Sequence, residues 1–106
     1  MSKSGAIEAI AEEIGDQAET LDEVERTTDG TTTVFARAGR TFASADDAGF
    51  EFLVGGVIAA AALRTPDVIE GPRGPDWVRF SPAELDEPAL DRAIAWFEAA
   101  WRRADS

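Results

Sequence analysis

Apolar residues recur at Ile7, Ile10, Ala11, Ile14 and Ala18, with Glu8, Glu12, Glu13 and Asp16 between them. That spacing predicts an amphipathic helix over residues 5–18. Ser4 is placed to cap it, and acids in its first turns suit the helix dipole. Gly15 either ends the helix or loosens it. From Thr20 the period shortens to two, and residues 24–28, 31–37, 40–45 and 50–54 read as strands rich in Val, Thr and Phe. Asp29-Gly30 is a strong hairpin signal, Ala38-Gly39 gives a second tight turn, and residues 46–49 give a third. Short strands joined this way make an antiparallel meander.

Gly55-Gly56 then breaks the strand, and residues 57–64 read as a short, nearly all-apolar helix stopped by Thr65-Pro66. A brief strand at 68–70 and a loop of two Pro and two Gly over 71–75 lead to a strand at 77–80, placed at the sheet edge. Ser81-Pro82-Ala83-Glu84 matches a capping box with Pro at the first helical position, seeding only one turn. Asp86, Glu87 and Pro88 open the clearest helix, with Leu90, Ile94, Phe97 and Trp101 along one face and Ala93, Ala100 and Ala104 beside them. Asp91, Glu98 and Arg102 share the other side, Glu98 and Arg102 in the favourable i,i+4 order. The expected fold is α+β: an antiparallel sheet of about five strands with the N- and C-terminal helices packed on one face. It forms a single domain over 1–106, with 1–4 and 104–106 expected to fray.

Composition supports one core and removes much chemistry. The chain has 106 residues and is 44% apolar, enough for one domain without staples. Cys, His and Tyr are absent, and Lys3 is the sole lysine. Thiolate and imidazole catalysis and Cys- or His-ligated metal sites are therefore excluded by inventory, and no cofactor is indicated. The longest apolar run, 57–63, is far short of the ~20 residues of a membrane span. The acidic N-terminal stretch does not read as a signal peptide, so a cytoplasmic location is expected.

Residues 35–43, Phe-Ala-Arg-Ala-Gly-Arg-Thr-Phe-Ala, resemble the strand, Gly-Lys/Arg turn and x-Phe-Ala strand of MmcQ/YjbR-like domains. They are similar as well to a bacterial luciferase-family domain of unknown function. In both groups a helical stretch, a Pro-containing loop, a Trp-led strand and an aromatic-bearing C-terminal helix follow, matched here by 57–64, 71–75, 76–80 and 90–101. The resemblance implies the α+β fold and, by the label often given to YjbR-like proteins, DNA binding. The His residues of the luciferase-family pattern are missing here, and a DNA-binding surface would be basic.

Candidate sites follow from alternation along the strands. If Val34, Val78 and Phe80 face the helices, then Phe35, Arg37, Trp77 and Arg79 form an outward aromatic-and-Arg patch suited to a carboxylate, a phosphate or a protein. Trp96 falls at the margin of the buried stripe of its helix, where it either anchors an interface or packs on a loop. Gly55-Gly56 is a weak candidate for anion binding, and Asp46, Asp47 and Glu51 a weak one for a hard cation. The reading favoured is a non-enzymatic binding or protein-interaction domain, with a second copy of the chain as a possible partner. The alternatives are a small-ligand domain holding an anionic metabolite through Arg37, Arg40 and Arg79, with or without hydrolase activity, and a nucleic-acid binder, which the charge disfavours.

That charge is −11, from 21 acids and 10 bases, and residues 1–25 hold eight acids against Lys3. Nine of the ten bases are Arg. Either salt adaptation or the codon bias of a GC-rich genome accounts for it, and they differ in one measurement. In a salt-adapted chain, molar KCl screens self-repulsion to about 3 Å, and the melting temperature should climb steadily from low to molar KCl. A flat melting temperature over that range leaves genome composition as the cause.

Overall fold

The computed structural model describes residues 3–105, with side chains from Gly5 onward. Met1, Ser2 and Ser106, assigned to frayed ends, lie outside the described residues. Helix α1 spans Lys3–Thr20, so Ser4 sits inside it rather than capping it, and Gly15 does not end it. The missing side chain at Gly15 makes room for Arg26: a β-carbon there would come within 3.0 Å of the guanidinium.

Four strands follow in a meander: β1 (Val24–Asp29), β2 (Thr32–Arg37), β3 (Arg40–Asp46) and β4 (Gly49–Leu53). Both central residues of the β2–β3 turn, Ala38 and Gly39, have positive φ (51° and 80°), which suits the right-handed twist of a two-residue hairpin. At the next turn, Asp46 Oδ1 accepts from the Ala48 and Gly49 amides at 2.8 and 2.9 Å. The chain then forms α2 (Gly56–Ala62), β5 (Val68–Glu70), β6 (Trp77–Phe80) and α3 (Glu87–Ala104). All strand pairs are antiparallel, and the order is β1-β2-β3-β4-β6-β5. The sheet therefore has six strands, and β6 is not the edge strand expected: it inserts between β4 and β5. Strands β4 and β5 consequently run parallel, and α2 is the crossover that leaves one strand's width for β6.

The capping-box segment at Ser81 forms no helix. Asp86 caps α3 instead, its Oδ1 accepting from the Ala89 amide at 2.8 Å, with Pro88 in the first turn. The helix continues through buried Ala104, where fraying was expected.

Helices α1 and α3 cover one face of the sheet, and all six phenylalanines are buried on that side. Phe97 of α3 meets Phe35 edge-on at 5.0 Å between centroids and Phe42 at 5.3 Å. A bulge between Phe35 and Ala36 in the β2–β3 pairing lets Phe42 and Ala43 both lie inside. Because the sheet supplies the large rings, α3 supplies small residues against them. Ala89, Ala93, Phe97, Ala100 and Ala104 are its buried line. The stripe expected at Leu90, Ile94 and Trp101 is rotated, and those three flank the contact half-buried. Ile7, Ile10 and Ile14 of α1 complete the core, and Gln17 of α1 hydrogen-bonds Glu98 of α3.

Truncating the ring where helix and sheet meet should be costly. Phe97→Ala is expected to lose about 3–5 kcal/mol in urea unfolding, whereas Leu85→Ala, at an exposed position, should stay within about 0.5 kcal/mol.

Candidate functional site

The outward patch expected from alternation does not exist as one surface. Strand β6 has the orientation expected, with Val78 and Phe80 under the helices and Trp77 and Arg79 of opposite parity. Strand β2 is inverted: Phe35 packs on Phe97, and Val34 is turned to the open face. With apolar residues at 34, 35 and 36, alternation is ambiguous, and the largest side chain takes the core. Arg37 follows Phe35 to the helix side, against the expectation that an Arg marks the wet face.

Burial of Arg37 is offset by a dense set of partners. Its Nη1 donates to the Trp101 carbonyl at 3.1 Å, its guanidinium lies 4.0 Å from the Trp101 ring centroid, and Nη2 faces Glu23 and Asp105 at 3.5 and 3.6 Å. The Trp101 indole in turn donates to the Asp22 carbonyl at 2.8 Å. Arg37 thus fastens the C-terminal end of α3, where a cation is favoured, to β2. Arg40 opens β3 at the hairpin tip, exposed and away from Trp77 and Arg79.

On the open face a second arginine is equally committed. Arg79 donates to Glu51 Oε2 at 3.1 Å and Asp46 Oδ1 at 3.1 Å, and Arg73 Nε donates to Glu51 Oε1 at 3.2 Å while lying over the Trp77 ring. Two acids and two arginines form a neutral chain across β3, β4, β6 and the loop before β6. Asp46 and Glu51, considered as cation ligands, here share Arg79. Among the described residues no three acids converge on a common point. Burial works to raise the Asp46 pKa, but Arg79 and the Ala48 and Gly49 amides outweigh it and hold it below the ordinary carboxylate value.

The turn before α2 also has its charge in place. Gly55 has φ 90° and caps α2, and the Asp76 carboxylate lies 3.4 Å from where a β-carbon of Gly56 would sit. Asp76 pairs with Arg103 at 3.5 Å. An external anion at this turn would meet a carboxylate. The grooves between α1 and the sheet, and between α1 and α3, are lined by Glu8, Asp46 and Asp47 and by Glu13, Asp16, Asp91 and Glu98. These too oppose an anionic ligand.

Helix α2 is where the surface departs from an ordinary soluble face. All seven residues from Gly56 to Ala62 are Gly, Ala, Val or Ile, yet only Ala59 and Ala62 are buried. Val57 is 88% exposed, Ile58 39% and the following Leu63 45%. A helix apolar all round is normally enclosed. Shallow grooves of about 270 and 260 Å³ run along its two sides, both under the roughly 300–1,000 Å³ of small-molecule pockets. Trp96 lines the first with Val57, Ile58 and Ala61, and its ring also meets Phe80 at 5.2 Å and Phe52 at 6.4 Å. Trp77 lines the second with Ala60, Leu63 and Glu70.

Of the six residues singled out from sequence, Trp77 and Trp96 therefore flank one feature. Phe35 is core, Arg37 is a clamp, Arg79 is in the ion chain, and Arg40 lies apart. Sequence reasoning found the helix at 57–64 but did not name it as a site. Its signal was a seven-residue helix without a polar face, too short to be wrapped by its neighbours. No helix among the described residues is long and apolar enough to cross a membrane. Comparison with protein-family models, curated proteins and solved structures finds no match.

Since the Asp46 carboxylate is favoured by folding, its stabilisation is full above the ordinary carboxylate pKa near 4 and fades as pH falls through the lower folded value. Asp46→Asn should lower the melting temperature clearly at pH 7 and much less at pH 2.5. An equal loss at both would show that the charge of Asp46 is not what matters.

Proposed function

We propose that this chain is a non-catalytic protein-interaction domain whose contact surface is α2 with its two flanking grooves. The observation that carries this reading is the exposure of Val57, Ile58 and Leu63 on a helix with no polar residue. Aromatic side chains beside an apolar ridge are characteristic of interface cores. Trp77 and Trp96 occupy those positions. The resemblance to MmcQ/YjbR-like domains, which implies an α+β fold, is carried as part of the same proposal.

An anionic-metabolite site is less well supported, because Arg37 and Arg79 lie on opposite faces and already hold the chain's own acids. Nucleic-acid binding would set a −11 chain against a polyanion. Salt adaptation, if the KCl melt supports it, fits the interaction reading, since concentrated ions let an acidic chain approach another acidic protein.

Val57→Lys should leave the melting temperature within a degree or two of wild type, because the side chain is solvated. It should weaken association with whatever covers α2 at least tenfold, as the loss of an interface anchor does. The check is cross-linking in the native cell extract with the linked proteins identified by mass, beside an exposed control, Thr27→Lys. An unchanged set of linked proteins in Val57→Lys removes α2 from the contact surface.

A further inference from the structure

We infer that the occupant of α2 is a second copy of this chain, docked about a two-fold axis with the two α2 helices antiparallel. This inference rests on the interaction reading above and names its partner. The first support is charge. Each copy carries −11, so two copies can meet closely only where charges are absent or opposed. The stretch from Gly55 to Leu63 carries no ionisable side chain at all.

The second support is the arrangement of charges that bound the stretch. Glu70 borders one groove of α2, and Asp76, held in a pair with Arg103, lies beside the first residue of the helix. Arg64 follows Leu63 at the other end, and its guanidinium has no ion-pair partner among the described residues. A helix of this length runs about 10 Å. Antiparallel packing brings each Arg64 toward Glu70 of the other copy, beside the Asp76–Arg103 pair, twice over by symmetry. Parallel packing sets Arg64 against Arg64 and acid against acid. In a two-fold contact residue i meets j while j meets i, and a patch with opposite charges at its two ends satisfies that condition.

Shape agrees with charge. A ridge flanked by grooves can lay its side chains into the grooves of its copy, and Ala60 and Ala61 let the backbones come close. A standard interface takes about 800 Å² per partner, which is about one-seventh of the 5769 Å² surface of the chain. A helix of two turns with its groove walls places the contact at the small end of that class, so micromolar self-association is expected.

The chain lacks cysteine, so single cysteines report geometry without background. Sedimentation equilibrium at about 0.15 M salt screens charges beyond about 8 Å but not those in contact. Wild type at 100 µM and above should give twice the 11.3 kDa chain mass. Val57→Glu and, independently, Ile58→Glu should weaken the dimer at least tenfold with unchanged circular dichroism. On mild oxidation, a mixture of Val57→Cys and Leu63→Cys chains should form the mixed disulfide in excess over either self-linked pair. A monomer up to millimolar concentration, in 0.15 M or molar KCl, overturns the dimer. A Val57→Cys chain that links chiefly to itself overturns the antiparallel arrangement. If the chain is monomeric but wild type still cross-links a different protein that Val57→Glu does not, the interaction reading stands without the dimer. If wild type also links nothing that the variants lose, that reading falls with it.

Discussion

Phe97 holds the two layers of this protein together. Its ring enters between Phe35 of β2 and Phe42 of β3, and the alanines at 89, 93, 100 and 104 let the rest of α3 settle close to the sheet. Large rings from the strands against small residues from the helix is a complementary division of volume. At roughly 1.5–3 kcal/mol for each fully buried Phe, the six phenylalanines are the main source of cohesion, and all of them lie on the roofed side. Arg37 adds a polar fastening at the C-terminal end of α3, through the Trp101 carbonyl and ring.

From that one-sided roof follows the rest of the surface. On the open face Asp46, Arg79, Glu51 and Arg73 are joined in series. With β6 between β4 and β5, the connection from β4 to β5 is a crossover, and α2 lies in it. Trp96 of α3 and the end of β6 support α2 from beneath, which buries two alanines and leaves the larger side chains outside. The exposed apolar ridge is thus produced by topology together with a sequence that made no polar outer face for it.

Much of the fold was legible because its signals are local. Asp29-Gly30 and Ala38-Gly39 mark hairpins by backbone chemistry, and the helix openings at Gly56 and Glu87 follow Gly-Gly and Asp-Glu-Pro signals. The direction in which β2 faces was not legible. Val34, Phe35 and Ala36 leave the alternation degenerate, and the burial of Arg37 depends on Trp101, Glu23 and Asp105, distant in sequence. The rotation of α3 was hidden for a related reason: Leu90 and Ile94 look like core until the sheet is known to bring the bulk. Insertion of β6 inside the sheet is a long-range pairing that three- and four-residue strands do not announce. Trp77 and Trp96 were found as residues and 57–64 as an apolar helix, but the exposure of that helix was not legible.

The most direct test of the central claim, that α2 is bare on one chain and covered in solution, is amide hydrogen exchange at residues 57–63 over a range of protein concentrations. The account predicts that protection of these amides rises as concentration passes through the micromolar range, while those of α3 beneath Phe97 stay equally slow throughout. Fast exchange of α2 at every concentration, alone and in cell extract, would contradict it.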